Sequence, residues 1–154
     1  LSKKKLTLAE CLKLNNEIEE FSKALPSYLS LDGKIFQQYI TSHYHKSMKP
    51  PNWLYLTRYR LLWRVKNLQN VLFKSVLLYK KGPLFMKSDP IEVFHSICLC
   101  LDSSRETIES VTEYNHICEL NRLAAWYAIY FSFHAFVIPM YCLLREPHSK
   151  FVNQ

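Results

Sequence analysis

The sequence predicts an all-α protein, a multi-helix domain with a central apolar helix, which we expect to be a fragment of a larger helical regulatory domain. Glycine is nearly absent, with 2 residues in 154, so the residue most favoured in tight turns is scarce. Stretches with the apolar spacing or length of helices lie near 7–25, 53–81, 89–114 and 123–144. The interval 26–52 is expected to be rich in loops.

The segment 123–144 is apolar on every side, which is typical of a membrane span or of a core helix. Its aromatic residues, Trp126 among them, run along the whole length, whereas membrane helices gather Trp and Tyr at their ends. His134 lies at mid-length, where lipid makes a histidine costly. We therefore expect a core helix wrapped by the other helices, with His134 hydrogen-bonded inside. The alternative is a membrane protein fragment anchored by 123–144.

The first helix is predicted to begin with a capping box, in which Thr7 is the N-cap and Glu10 follows three residues later. The next stretch, Tyr28–Asn52, is interpreted as either a short helix or a partly packed loop. His43 and His45 lie there without a neighbouring carboxylate or cysteine, so we expect surface histidines and no metal site.

The long helix near 53–81 is predicted to have Asn52 as its N-cap and to end at Gly82-Pro83. Arg58 falls inside its main apolar stripe. A buried guanidinium needs a carboxylate or several carbonyls, so Arg58 is expected to be structural and not an anion ligand. The main stripe consists of Leu54, Leu61, Val65, Leu68, Leu72, Val76 and Tyr79, while Leu56, Tyr59 and Trp63 form a second apolar side.

The third helix is predicted to be capped by Ser88 or Asp89. Arg105 lies in the middle of its apolar stripe, so we expect a carboxylate or helix-end carbonyls from a neighbouring element to hold it. Asp102 and Glu109 are candidate partners on its own helix. The stripe consists of Phe94, Cys98, Leu101, Ile108 and Thr112.

Charge and cysteine content favour an intracellular globular fragment. The formal net charge is +7, and no acidic residue lies between Gly33 and Ser88. Basic residues there alternate with core-type apolar ones, which indicates packing between acidic helices and not a nucleic-acid surface. The five cysteines form no CxxC pair, so free thiols in a reducing compartment are expected. The sequence has no basic-then-apolar leader and begins without Met, which suggests a piece of a longer protein.

No catalytic signature is present: neither a phosphate-binding glycine loop nor a nucleophile–base set occurs. We therefore predict no enzyme, no catalytic or metal-ligating residues and no cofactor. The residues singled out are structural candidates: Arg58, Trp63, Arg64, Arg105, Trp126 and His134.

Three blocks resemble successive parts of the middle homology region of fungal binuclear zinc-cluster transcription factors. They are TRYRLLWRVKNLQNVLFKSVLL (Thr57–Leu78), CLDSSRETI (Cys100–Ile108) and AAWYAIYFSFHAFVIPMYCLL (Ala124–Leu144). The earlier NEIEE (Asn16–Glu20) is similar to the yeast galactose-pathway activator branch. The shared features are Arg58, Trp63, Arg64, Asn67, Leu68, Cys100, Arg105, Trp126, Tyr127, Phe131, Ala135, Pro139, Leu143 and Leu144.

The resemblance implies that residues 1–154 are the C-terminal part of a non-catalytic regulatory domain. It implies a nuclear location, control of RNA polymerase II transcription of sugar or nutrient genes, protein regulators, and a homodimer in the full-length protein. The family's six-cysteine zinc cluster and its coiled coil do not occur in this sequence. Zinc and DNA are therefore expected to bind only outside this fragment, and no membrane contact is expected.

Overall fold

The computed structural model describes residues 6–44, 48–78, 90–119 and 121–145, which contain five α-helices, one 3₁₀ turn and no strand. The predicted all-α fold class is therefore confirmed. The predicted helix end at Gly82-Pro83, the cap at Ser88 or Asp89, and His45 lie outside the described residues. The elements are α1 (Leu8–Lys23), the 3₁₀ turn (Ser27–Leu29), α2 (Gly33–His43), α3 (Asn52–Leu78), α4 (Pro90–Ile117) and α5 (Arg122–Arg145).

Helix α1 begins with the predicted capping box. The Glu10 backbone N–H donates to Thr7 Oγ1 over 3.2 Å, and the Thr7 backbone N–H donates to Glu10 Oε2 over 2.8 Å. Two of the amide groups that a helix start leaves without partners are thereby satisfied. The buried side of α1 consists of Leu8, Cys11 and Asn15.

Helix α2 resolves the open alternative for 28–52 in favour of a short helix. Its start is fixed by Asp32, whose Oδ1 accepts from the backbone N–H of Lys34 over 2.7 Å. Phe36 and Ile40, four residues apart, pack on Leu54 of α3. The predicted surface position of His43 is confirmed, because it is exposed at the end of α2 and stacks on Tyr39.

Helix α3 is the central element, because α1, α4, α5 and the 3₁₀ turn all pack against it. It begins at Asn52 itself, one residue earlier than predicted. The expected second apolar side is confirmed, since Leu56, Tyr59 and Trp63 are all buried. Leu68 of the predicted main stripe is 52% exposed, however, and the neighbouring Gln69 and Asn70 are buried instead.

The predicted apolar stripe of α4 is only partly covered, because Cys98, Leu101 and Ile108 are half-buried and its other two members are exposed. Phe94 is 56% exposed and Thr112 is also exposed, while the side turned towards α3 is made largely of small hydroxyl and thiol residues. Several of these hydroxyls donate to carbonyls of their own helix, as Thr107 Oγ1 does to Ser103 O over 2.7 Å. Small side chains let α3 and α4 approach closely. The buried residues of α4 are Val93, Ser96, Ile97, Cys100, Ser103, Ser104, Thr107, Ser110, Val111 and Tyr114.

Helix α5 is apolar as predicted, but it is neither central nor wrapped. Among the described residues, α5 packs on α3 and α4 through one side, and 22% of its most apolar 18-residue window is buried. Uniform apolarity gives no periodic signal, so the sequence did not indicate that only one side would be covered. The packed side is a stripe of small and large residues, Ala124, Ala128, Phe131, Ala135 and Ile138.

Candidate functional site

Arg58 is buried and ties the loop before α2 to α3. Its Nε–H donates to the carbonyl of Ser30 over 2.7 Å, and Nη2 donates to the carbonyl of Leu31 over 3.0 Å. The guanidinium carbon lies 4.6 Å from the ring centre of Phe36 and 5.0 Å from that of Tyr59. The expected group of carbonyls is confirmed. Because Nε and Nη2 both donate to this loop and the guanidinium lies between two aromatic rings, the geometry supports a structural contact and not an anion site.

Trp63 lies at the centre of the α3–α4–α5 interface with 0% exposure. Its Nε1–H donates to Ser110 Oγ over 2.9 Å, which satisfies the indole donor that burial would otherwise isolate. The rings of Tyr59, Tyr114 and Phe131 surround it with centroid distances of 5.3–6.1 Å among the four. Burial raises the pKa of Tyr59, and the neighbouring Glu113 carboxylate raises it further. The Tyr59 hydroxyl therefore remains protonated at neutral pH.

Arg105 corrects the sequence prediction, because it is not on a buried face. Its side chain is 64% exposed and pairs with Asp102 over 3.2 Å and with Glu109 over 3.9 Å, both on α4 itself. No neighbouring element is needed to hold it. Exposed pairs of this kind contribute little to stability. Arg64 is also exposed, on α3.

Trp126 is exposed and His134 is half-buried on α5, which corrects the expectation of a wrapped core. Trp126 is 58% exposed and stacks on Tyr130 with a centroid distance of 5.5 Å. His134 is half-buried, and its ring meets Tyr130 edge-on at 4.6 Å. The predicted role of His134 as a core residue is therefore wrong. A uniformly apolar helix carries no signal for the side on which His134 lies.

A buried polar band between α1, α3 and α4 was not predicted. Ser103 Oγ donates to Gln69 Oε1 over 3.0 Å, and Gln69 Nε2 donates to Asn15 Oδ1 over 2.9 Å. Asn15 Nδ2 then donates to Glu19 Oε1 over 2.8 Å, which connects the interior to the protein surface. One residue along α3, Asn70 accepts from Ser104 over 3.3 Å. Such satisfied networks fix the register of packed helices.

Arg60 is a second residue of α3 that the sequence did not single out. Its guanidinium carbon lies 4.2 Å above the ring centre of Tyr127 on α5. Its buried Nε has no hydrogen-bond partner among the described residues. The contact helps to hold the first half of α5 on α3.

An apolar surface is exposed along α5, and we call it the α5 outer face. It contains no charged residue between Arg122 and Arg145, and its members are 36–80% exposed. A contiguous exposed apolar surface is typical of a site that contacts protein or lipid. The α5 outer face consists of Trp126, Ile129, Tyr130, Phe133, Phe136, Val137, Met140, Leu143 and Leu144.

The described residues hold no group of three or more His, Cys, Asp or Glu side chains arranged to bind a metal ion. The chain matches no protein-family model and no solved structure. In the residues that the structure describes, the arrangement defines an all-α module with a hydrogen-bonded polar band between α1, α3 and α4, a loop held by Arg58, and an exposed apolar face on α5.

Proposed function

We propose that this chain is a non-catalytic regulatory domain of a fungal zinc-cluster transcription factor. In this proposal the whole protein acts in the nucleus on RNA polymerase II transcription, with sugar or nutrient genes among its targets. Zinc and DNA are bound outside this chain, the full-length protein is a homodimer, and protein regulators act on the helical domain.

The observation that carries the proposal is the relation between the three resemblance blocks and the helices. The blocks fall in α3, α4 and α5, which pack on one another. Residues quoted for the resemblance meet at these interfaces: Trp63 and Cys100 are fully buried, and Phe131 and Ala135 are nearly so. If the chain shares a helical core with that family, the residues that match in sequence order should also be buried together between the helices. Arg105 and Trp126 do not take part and add nothing to this argument.

The test is a reporter assay in yeast. The 154-residue chain is fused between a heterologous DNA-binding domain and a constitutive acidic activation segment, and reporter output is compared with that of the fusion lacking the chain, in media with different carbon sources. We expect the chain to lower reporter output severalfold in at least one medium. A regulatory domain would do so either by masking the activation segment or by recruiting a protein that represses it. Equal output from both fusions at equal abundance contradicts the proposal.

Two variants make that assay specific to the folded domain. Trp63→Ala removes the centre of the core and is expected to abolish the effect, since truncating a buried Trp costs about 3–5 kcal/mol. Arg64→Ala changes an exposed residue of the same helix and is expected to preserve it. An effect that survives Trp63→Ala would mean that the fusion acts as an unfolded spacer.

A second candidate, a membrane protein fragment, is favoured by one observation. Helix α5 has a 23-residue stretch, Arg122–Leu144, that is long and apolar enough to cross a bilayer, with a mean hydropathy of 1.5. Against it, aromatic residues lie along the whole α5 outer face and are not confined to its ends. Carbonate extraction of the expressed chain separates the candidates. Retention in the pellet supports the membrane candidate, and release supports the regulatory domain.

A further inference from the structure

The α5 outer face has a seven-residue repeat. Its nine members fall into three sets, and within each set successive residues are seven positions apart. In heptad terms the sets occupy positions a, d and e, which are the apolar positions of a helix that packs along another helix. Pro139 falls at none of these positions, and α5 is helical from Arg122 to Arg145. The sets are Trp126, Phe133 and Met140 at a, Ile129, Phe136 and Leu143 at d, and Tyr130, Val137 and Leu144 at e.

The opposite side of α5 has the same kind of repeat and is already packed. Its buried residues lie against α3 and α4, and their spacing alternates between four and three positions. These residues are Ala124, Ala128, Phe131, Ala135 and Ile138. Helix α5 therefore carries two stripes spaced for helix packing, and the described part of the chain covers only one of them. The α5 outer face is the second stripe, spaced to receive another helix along its length.

The α5 outer face has the area and the composition that a stable dimer needs. Because an aromatic side chain contributes about 150–250 Å², its four rings and five aliphatic side chains, which are 36–80% exposed, amount to roughly 900 Å². A stable interface covers about 800 Å² on each partner. No member of the face is charged, whereas the formal net charge of +7 makes two copies repel each other elsewhere. Two copies can therefore meet through this face without burying a charge.

The distribution of side-chain size along the face favours antiparallel pairing. Trp126, its largest member, lies near the N-terminal end of α5, and Leu143 lies near the C-terminal end. Antiparallel pairing places Trp126 opposite Leu143 of the second copy, so that a large residue meets a smaller one, whereas parallel pairing places two Trp126 rings together. Antiparallel pairing also brings the exposed Arg122 to the C-terminal end of the neighbouring α5, which carries about half a negative charge.

We propose that a second copy of this chain covers the α5 outer face, so that two α5 helices pair antiparallel about a twofold axis. The inference uses α5 alone and does not depend on a role in transcription. It also differs from the homodimer of the proposed function, because that dimer belongs to the full-length protein and this pair forms between copies of the 154-residue chain. In dilute solution the copies separate, and the α5 outer face of the single chain is exposed.

Sedimentation equilibrium of the 154-residue chain over a range of micromolar concentrations tests the pairing. We expect a reversible monomer–dimer equilibrium whose upper limit is twice the mass of the 18.3 kDa chain. A chain that stays monomeric overturns the proposal. Open-ended association also overturns it, since a twofold pair closes at two copies. A monomer that floats with phosphatidylcholine vesicles overturns it as well and assigns the face to lipid.

Matched double variants locate the contact. Ile129→Glu with Phe136→Glu places two carboxylates on the α5 outer face, at residues that are 72% and 51% exposed, and is expected to weaken dimerisation at least about a hundredfold. Phe21→Glu with Val71→Glu makes the same change in charge on α1 and α3, at residues that are 53% and 62% exposed, and is expected to change the dimer affinity within about threefold. Equal weakening by the two pairs overturns the proposal.

A second pair of variants tests the direction of pairing. Trp126→Glu with Leu143→Lys places opposite charges across an antiparallel pair, whereas Trp126→Glu with Leu143→Glu places like charges there. Both changes are at exposed residues, so both proteins are expected to fold. We expect the first variant to dimerise at least about tenfold more tightly than the second. Equal affinities, or two variants that are both monomeric, overturn the antiparallel arrangement.

Discussion

The Nε–H of Arg58 donates to the carbonyl oxygen of Ser30 over 2.7 Å and joins residues 28 positions apart in the chain. Through this bond and its companion to Leu31, one buried cation closes the turn between α1 and α2 against α3. The cation also contacts Phe36, the residue through which α2 packs. The Arg58 side chain therefore links α3 both to the loop and to α2.

Replacing Arg58 with alanine is expected to lower the free energy of unfolding by about 2–3 kcal/mol. The change leaves two carbonyls without their charged donors and removes the contacts with Phe36 and Tyr59. Urea denaturation measures the effect. Arg64→Ala, six residues along the same helix and exposed, is the control and is expected to change stability by less than about 0.5 kcal/mol. Equal losses from the two variants would contradict the structural role.

Phe131 lies on the packed side of α5 and is 5% exposed, whereas Phe133 lies on the α5 outer face and is 67% exposed. Phe131→Ala is expected to cost about 3–5 kcal/mol because it opens a cavity beside Trp63. Phe133→Ala is expected to cost less than about 0.5 kcal/mol, because the ring is already in solvent. Thermal and urea unfolding of the two variants give the comparison. A large cost at Phe133 would mean that the α5 outer face is covered.

The hydrogen bond between Ser103 and Gln69 is expected to couple α4 to α3 energetically. In a double-mutant cycle with Ser103→Ala and Gln69→Ala, we expect an interaction energy of about 1 kcal/mol, since each single change leaves the other buried group unpaired. Chemical denaturation of the wild type, the two single variants and the double variant gives the interaction energy. A cycle with Ser103→Ala and the distant Thr41→Ala serves as the control and is expected to be additive.

The buried thiol of Cys100 is expected to make stability fall at alkaline pH. Burial raises its pKa from 9.0 to about 12, and its Sγ lies 3.6 Å from the acceptor Asn70 Oδ1. Between these values the unfolded chain loses the proton while the folded chain keeps it. The free energy of unfolding therefore falls as pH rises, by at most about 1.4 kcal/mol per pH unit.

Urea titrations from pH 8 to about pH 11 measure that slope, and Cys100→Ala is the comparison. The variant lacks the thiol but keeps the tyrosines, so the difference in slope isolates Cys100. Parallel slopes for the two proteins would show that the thiol ionises freely in the folded state.

The fold class and most helix positions followed from the sequence because caps and breaks are local signals. Thr7 and Glu10 are an example. The side on which each helix packs was harder to predict from the sequence. Arg58 and Arg105 both lie within predicted apolar stripes, but the α4 stripe is at most half-buried, because the α3–α4 contact uses small hydroxyl residues that hydrophobicity does not recognise. The buried polar band joins residues distant in the chain, so no local pattern predicted it.

Helix α3 is central and α5 lies at the surface, and iodide quenching of tryptophan fluorescence tests this arrangement directly. Trp53→Phe leaves Trp63, which is 0% exposed, and Trp126, which is 58% exposed. Adding Trp126→Phe leaves Trp63 alone. In dilute solution we predict that iodide quenches part of the emission of the first variant and almost none of the second. If removing Trp126 leaves the quenchable fraction unchanged, α5 is enclosed and the surface position of α5 is contradicted.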